Sequence, residues 1–319
     1  MMSAAPTANR SLLRRVRDGV AGAERRLAGR YLLPFRWKPP EAATRLPVPP
    51  RPPDAYLCSF AKSGRNWISF CLANYLRLAM DLEPAVDFGT VRRYVPDAHP
   101  GREENGPAGF GFFDAPGVPL LALSHGPYSP SRFAAPVIVL VRDPRAVMVS
   151  MHRWMSRHYR DASGRPAYGG TLTEMAEYAL VGPYALSRWL DTWTPRIEAG
   201  SAAVTTYEGW HRAGEQELER LVAFLGLQPV PDALGEALRR SSFARMQASE
   251  QVVPSDAGGY DLADPQALHV RKGRPEAWRE EVTGAEQAAL EAALDRMLTR
   301  RTKRLLRRLG LSWTDAPDR

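Results

Sequence analysis

The sequence predicts an α/β fold: one P-loop-like domain with a central parallel sheet flanked by helices on both faces. Two observations carry this. Four short apolar runs, AYLCSF, PLLALSHG, APVIVLVRDP and SAAVTTYEGW, alternate with longer segments of helical periodicity. Near-continuous apolar runs mark strands covered on both faces, which is the environment of a parallel sheet. In addition, the runs exit into charged or glycine-bearing turns, where open α/β sheets place their ligands.

Residues 1–50 read as an appendage to a domain over 51–319. RSLLRRVRDGVAGAERRLAGRYLL spaces Leu12, Leu13, Val16, Val20, Ala23, Leu27 and Tyr31 by threes and fours, with arginines on the other faces. This is a basic amphipathic helix, suited either to an anionic membrane surface, reached through residues 10–31, or to docking on its own domain or a subunit partner. The proline-rich KPPEAATRLPVPPRPP reads as a stiff linker.

Within the domain, AYLCSF is a buried strand and WISFCLANYLRLAM a helix. VPDAHPGREENGPAGFGFFDAPGVP is a long Gly/Pro loop of the kind that covers a substrate. PLLALSHG is a second strand ending in His125, APVIVLVRDP a third and SAAVTTYEGW a fourth. TGAEQAALEAALDRMLTRRTKRLLRRLG reads as one helix, with Thr283 and Glu286 at capping-box spacing and Gly310 at its end. Its cationic C-terminal half reads either as a solvated face that complements the helix dipole or as an anion-binding surface.

A formal net charge of +8 favours acidic partners without choosing among nucleotides, nucleic acid, anionic membranes and sulfated or phosphorylated substrates. Two cysteines, Cys58 and Cys71, fall in an apolar strand and an apolar helix and read as reduced core thiols. No Cys/His cluster has metal-ligand spacing. No run reaches the roughly 18 apolar residues of a membrane span, and the N-terminus lacks a signal-peptide core. The expected location is cytoplasmic, or peripheral at a membrane.

The chemistry concentrates at the strand exits. In YLCSFAKSGRNW a strand turns tightly through Lys62, Ser63 and Gly64 into a helix. Backbone N–H groups and the helix dipole there bind phosphate, Gly64 lets the ligand come close, and Lys62 adds a point charge. The Walker A spacing is absent. In VIVLVRDPRAVMVSMHRW, Arg142 ends a strand and Ser150 follows eight residues later, about two helical turns on. RKGRPEAW places Arg271, Lys272 and Gly273 in a loop suited to a phosphate dianion.

Together these segments resemble the sulfotransferases that use 3′-phosphoadenosine 5′-phosphosulfate. FAKSGRNW is similar to that family's 5′-phosphosulfate loop, commonly Tyr-Pro-Lys-Ser-Gly-Thr-Thr-Trp. VRDPRAVMVS is similar to its 3′-phosphate motif, and RKG to its C-terminal Arg-Lys-Gly loop. GPYALSRWLDTW, TTYEGW and RSSFARM resemble its Gly-Trp-Trp helix, its Tyr-Glu strand end and its Ser-Phe segment. The order is the family's, over roughly Asp54 to Ala293.

The resemblance implies a metal-free transfer of a sulfuryl group from that co-substrate to a hydroxyl or amine of a small-molecule, carbohydrate or lipid-linked acceptor. No nucleic-acid partner is implied. Lys62 would meet the bridging oxygen, and Ser63, Gly64, Arg65 and Asn66 would wrap the 5′-phosphate. Trp67 would stack on adenine, with Tyr207, Ser242 and Phe243 around it. Arg142, Ser150, Arg271, Lys272 and Gly273 would hold the 3′-phosphate. His125, at the family's histidine position, would be the base. His99 is the runner-up.

Several positions depart from the family. Arg65 and Asn66 replace two threonines, so that Arg65 would either add a charge or face solvent. Leu123 replaces a lysine found in the cytosolic small-molecule enzymes. Glu276 and Ala277 replace Gly and Asp ahead of Trp278. The dimerisation stretch is poorly matched near Thr283. Phe110, Phe112, Phe113, Tyr159, Tyr168 and Tyr178 are expected to shape the acceptor pocket or to pack their own loops. Two rival classes remain open on the residues alone: a P-loop-like nucleotide phosphotransferase, and a non-catalytic basic binder of nucleic acid or membrane.

Overall fold

Four strands form one wholly parallel sheet in the order β2-β1-β3-β4. They are β1 Ala55–Ser59, β2 Leu121–Ser124, β3 Val137–Val141 and β4 Ala203–Thr206. The structure is a computed structural model that describes residues 52–97, 115–158, 165–177, 182–253 and 262–311. The amphipathic segment and linker of 1–50, His99, Phe110, Phe112, Phe113, Tyr159 and Tyr178 lie outside the described residues.

The helices in chain order are α1 Arg65–Ala79, α2 Val91–Tyr94, α3 Pro144–Arg153, α4 Leu172–Ala176, α5 Pro183–Glu198, α6 Tyr207–Phe224, α7 Pro231–Arg240, α8 Phe243–Val252, α9 Gly284–Met297 and α10 Arg300–Arg308. A π-turn, Trp154–His158, extends α3, and a 3₁₀ turn, Pro275–Glu281, precedes α9.

Strand pleating sends alternate side chains to opposite faces. Leu57, Leu121, Leu123, Ile138 and Leu140 pack with Ile68, Leu72 and Leu76 of α1 and with Trp210 and Leu218 of α6. Cys58, Val137, Val139 and Val141 pack with Val147 of α3, Trp189 and Trp193 of α5, and Leu290 and Leu294 of α9. Burying each such aliphatic side chain stabilises by about 1.5–3 kcal/mol, so the five on the first face together match the net stability of a typical domain. The sheet is therefore sandwiched between two helical layers, as the uninterrupted apolar runs predict. Both cysteines are free and buried in these cores.

The C-terminal basic segment departs from the sequence reading. It is two helices, not one. The chain turns extended at Leu298 and Thr299, where Thr299 caps α10 by accepting from the Thr302 N–H. Asp191 of α5 accepts from the hydroxyls of Thr299 (2.8 Å) and Thr302 (2.7 Å), which pins the break. Helical periodicity runs across this point unchanged, so the side-chain cap and a distant aspartate decide it. Of the cations, Arg301 and Arg308 pair with Glu198, and Lys303 pairs with Asp295. The capping box of Thr283 and Glu286 is formed. Gly310 takes the left-handed backbone, φ 72, that its place at the end of the segment predicts.

No helix among the described residues is long and apolar enough to cross a membrane.

Candidate active site

All four strands deliver a candidate residue at their carboxyl ends. The Lys62 turn follows β1, His125 follows β2, Arg142 follows β3 and Tyr207 follows β4. The chain leaves β1 toward β2 on one side and leaves β3 toward β4 on the other. The point where strand order reverses thus lies between β1 and β3, the usual ligand crevice of such sheets.

The Lys62 turn is a left-handed corner. Lys62 has φ 68, and Gly64, the N-cap of α1, has φ 96. A non-glycine residue there costs on the order of 1 kcal/mol, so the turn stores strain at the crevice. The turn is closed by the Ser63 N–H donating to the Phe60 carbonyl (3.3 Å) and opens a 15-residue helix, whose N-terminal N–H groups and dipole suit an anion. Gly64 is needed twice, for its φ and because a Cβ there would run into the Tyr207 ring. Gly64→Ala is accordingly expected to cost about 2–4 kcal/mol of stability, from strain plus overpacking, and to abolish anion binding at the turn. Thermal melts with and without adenosine 3′,5′-bisphosphate check both.

Arg142 ties the turn to the adjacent strand. Its Nη1 donates to the Lys62 carbonyl (3.1 Å), and its guanidinium lies 4.2 Å over the Tyr207 ring. Tyr207 meets Trp67 edge-on (5.6 Å between ring centroids), and His211, one turn along α6, lies 4.5 Å from Trp67. Lys62, Gly64, Trp67, Arg142 and Tyr207 are thereby brought together. Glu208 accepts from the Asp143 N–H (3.0 Å), locking the β4 exit to the β3 exit. Ser63 is buried, and Ser150 sits in the last turn of α3, half-buried.

Arg65 resolves differently from either alternative the sequence offers. It is buried and paired with Asp97 (3.0 Å), while Arg92 donates to the Asn66 side chain (2.9 Å). Both side chains that replace the family's threonines are therefore engaged with neighbouring residues.

His125 is fixed by its surroundings. Its Nδ1 donates to the Ser59 carbonyl (2.7 Å), which leaves the lone pair on Nε2. The following turn is clamped by α5: Trp189 Nε1 donates to the carbonyls of His125 (3.1 Å) and Gly126 (3.0 Å), and Trp193 Nε1 to that of Gly126 (3.3 Å). The two tryptophans of GPYALSRWLDTW therefore position the histidine, a role their sequence did not disclose.

The Arg-Lys-Gly loop comes next to Lys62 through Arg271. Arg271 pairs with Glu281 (2.6 Å) and Lys272 with Glu280 (2.9 Å). Gly273 has φ 62, and a Cβ there would meet the ring of Phe243 at the start of α8. Ser242 is the N-cap residue of α8 without a side-chain capping bond. Trp278 stacks under Arg145 and Arg279.

Sequence reasoning missed three residues here. His269 Nε2 lies 3.5 Å from Lys62 Nζ. Its Nδ1 is buried without a partner among the described residues, a donor whose desolvation costs about 1–3 kcal/mol. Glu250, fully buried, accepts from the N–H groups of His269 (2.6 Å) and Val270 (2.8 Å). Trp154 presents its face to Lys62 at 5.6 Å. The only sequence signal was the place of His269, two residues before Arg271.

Burial, opposed by Glu250 and reinforced by Arg271 and Arg142, pulls the Lys62 ammonium down to about 7. Burial beside Lys62, with His158, Arg92 and Arg65 adding to it, holds the His269 ring well below the usual histidine range. Among the described residues, no group of three or more His, Cys, Asp or Glu could hold a metal ion.

The strand exits thus gather a left-handed lysine-glycine turn at the sheet's reversal point, an arginine from the neighbouring strand and a histidine one strand over, in an α/β protein. The chain belongs to the sulfotransferase domain family, whose model matches residues 52–302. It is similar to human sulfotransferase 2B1, 27% identical over 50% of this chain and 43% of the relative, and to rat sulfotransferase 2A2, 28% identical over 54% of this chain and 61% of the relative. The matched stretch thus spans about half the length of those curated relatives. Among solved structures, mouse sulfotransferase SULT7A1 complexed with PAP superposes with TM-score 0.53 at 20% identity, covering 84% of this chain and 91% of that one. Retinol dehydratase in complex with androsterone and PAP superposes with TM-score 0.53 at 14% identity, covering 79% and 82%. At these identities the likeness concerns the fold.

Proposed function

We propose that this protein transfers the sulfuryl group of 3′-phosphoadenosine 5′-phosphosulfate to a hydroxyl (or amine) of a small-molecule acceptor. The observation that carries the reading is the Lys62 turn, strained, glycine-relieved and bonded through its carbonyl to Arg142. A Cβ at Gly64 would run into the Tyr207 ring, so glycine is what lets the β4 exit pack against the turn. Membership of the sulfotransferase domain family and neighbours solved with PAP support the same donor.

In this reading the N–H groups of residues 63–66 wrap the 5′-phosphate, and Trp67 with Tyr207 and Phe243 encloses adenine. Arg142, Ser150, Arg271, Lys272 and Gly273 bind the 3′-phosphate. The exposed Lys272–Glu280 pair is solvent-screened and exchanges readily for a phosphate. His125 Nε2 takes the acceptor hydroxyl's proton as its oxygen attacks sulfur in line. A new S–O bond forms, the bond from sulfur to the 5′-phosphate oxygen breaks, and Lys62 stabilises the charge gained by that oxygen. The products are a sulfate ester and adenosine 3′,5′-bisphosphate.

Beside the turn, Phe60 and Trp154 pack with Met151, Met155 and Tyr168. Met151, Met155 and Tyr168 are buried, and the partly exposed rings of Phe60 and Trp154 over them favour an acceptor with apolar surface, a phenol or a lipid-like alcohol, over a bare sugar. Membrane contact through residues 10–31 would suit a lipid-linked acceptor.

Calorimetric titration tests the donor site. Adenosine 3′,5′-bisphosphate is expected to bind about 10²-fold or more tightly than AMP, because the 3′-phosphate gains several charge-assisted hydrogen bonds. ATP should bind no better than AMP. Equal or absent binding of all three would overturn the assignment and favour the basic-binder class.

A further inference from the structure

We infer that His269 is a positioning residue for Lys62, holding the lysine amine through Nε2 at the place where the leaving oxygen is met. The inference rests on the sulfuryl-transfer reading above.

The geometry is the first support. Lys62 Nζ and His269 Nε2 stand 3.5 Å apart. When Lys62 is an ammonium it only donates, so the imidazole then accepts through Nε2 and carries its proton on Nδ1. That Nδ1 is buried and has no partner among the described residues. An imidazole with an orphaned buried donor is a costly way to fill space that phenylalanine or leucine would fill without penalty. What the ring gains there is its contact with Lys62.

The backbone and the ring of His269 are each held by a neighbour. Glu250 of α8 accepts the backbone N–H of His269 and of Val270. His158 of the π-turn meets the His269 ring edge-on at 5.0 Å and is itself tied through Nδ1 to the Ala267 carbonyl (2.6 Å). Two residues further on come Arg271, Lys272 and Gly273. The 3′-phosphate wall and the catalytic lysine are thus linked through one side chain, and closing the wall on its phosphate would set the lysine as well.

Electrostatics give the contact its use. Around Lys62 lie Arg142 from the β3 exit, Arg271 and His269 from the C-terminal loop, His158 and the Trp154 face from the π-turn, and Glu250 from α8. Around His269 lie Lys62, His158, Arg92 and Arg65, all of which oppose a charge on the ring, with Glu250 on its backbone. The imidazole therefore stays neutral across the working pH range and remains an acceptor. Lys62, pulled to about 7 by burial and the two guanidiniums, needs such an acceptor to keep its proton and its direction.

The test reads protons as well as turnover. Adenosine 3′,5′-bisphosphate is titrated by calorimetry at pH 7.5 in two buffers of different ionisation enthalpy, so that proton uptake on binding is measured directly. The wild type is expected to take up a fraction of a proton, and Lys62→Met none. His269→Phe should take up more, with kcat about 10-fold lower and the basic limb of kcat/KM displaced by about 0.5–1 to lower pH. His269→Asn, polar but too short to reach Lys62, should behave like the phenylalanine variant even if that one folds poorly. His269→Gln, whose amide oxygen can stand near the Nε2 position, should restore uptake and the limb. Wild-type uptake and limb in the folded Phe or Asn variant, or a Gln variant no better than Phe, would overturn the positioning role. Failure of the wild type to bind the bisphosphate would instead sink the sulfuryl-transfer reading.

Discussion

Lys62→Ala is expected to lower kcat for sulfuryl transfer by about 10²–10³-fold, the usual cost of deleting one donor aimed at developing charge. Lys62 is half-buried and left-handed in backbone, beneath Trp154 and beside His269. Water cannot simply replace an ammonium in such a place. KM for the donor should rise much less, because the N–H groups of the turn and the Arg142 and Arg271 side chains still bind the phosphates. A kcat effect without a matching KM effect is the mark of an interaction made chiefly in the transition state. Arginine should not rescue, since a planar guanidinium cannot occupy the place of a point charge held by a single imidazole nitrogen. The folded state should not suffer, because a desolvated cation is removed. Steady-state kinetics and a thermal melt of the variant decide this, and a kcat within threefold of wild type would refute the leaving-group assignment.

His125→Ala is expected to lower kcat by about 10²–10⁴-fold, the range for loss of a general base. Affinity for adenosine 3′,5′-bisphosphate should be unchanged. The separation follows from geometry. His125 leaves β2, bonded to Ser59 and clamped through its carbonyl by Trp189, whereas the residues proposed to bind phosphate leave β1 and β3 or lie in the 271–273 loop. His125→Asn should not restore the base, since an amide has no titratable lone pair, though it can still donate to the Ser59 carbonyl and so preserve the turn. Full turnover in His125→Ala would end the base assignment. Loss of bisphosphate affinity would show that the histidine supports the donor site instead.

Much of this molecule was legible in the sequence. Buried parallel strands demand apolar side chains on both faces, and β3, Val137–Val141, is buried throughout. The left-handed corner at Gly64 demands glycine, and the helix beginning at Gly284 announces itself by Thr283 and Glu286. These features depend on residues close together in the chain, so a local reading finds them. Lys62 and Arg142 were expected at strand exits and Tyr207 by resemblance, and the three side by side are what the sheet order brings together.

The tertiary structure decided what depends on partners distant in sequence. Asp97 and Arg92 redirect the side chains of Arg65 and Asn66. Asp191 and the Thr299 cap divide the C-terminal helix, and Trp189 and Trp193 hold the histidine turn some 60 residues before them. His269 meets Lys62 across 207 residues of chain. A single hydrogen bond of this kind leaves no periodicity and no local composition behind. Its energy is a kcal/mol or so, enough to aim one side chain but far too little to shape the pattern of the sequence around it.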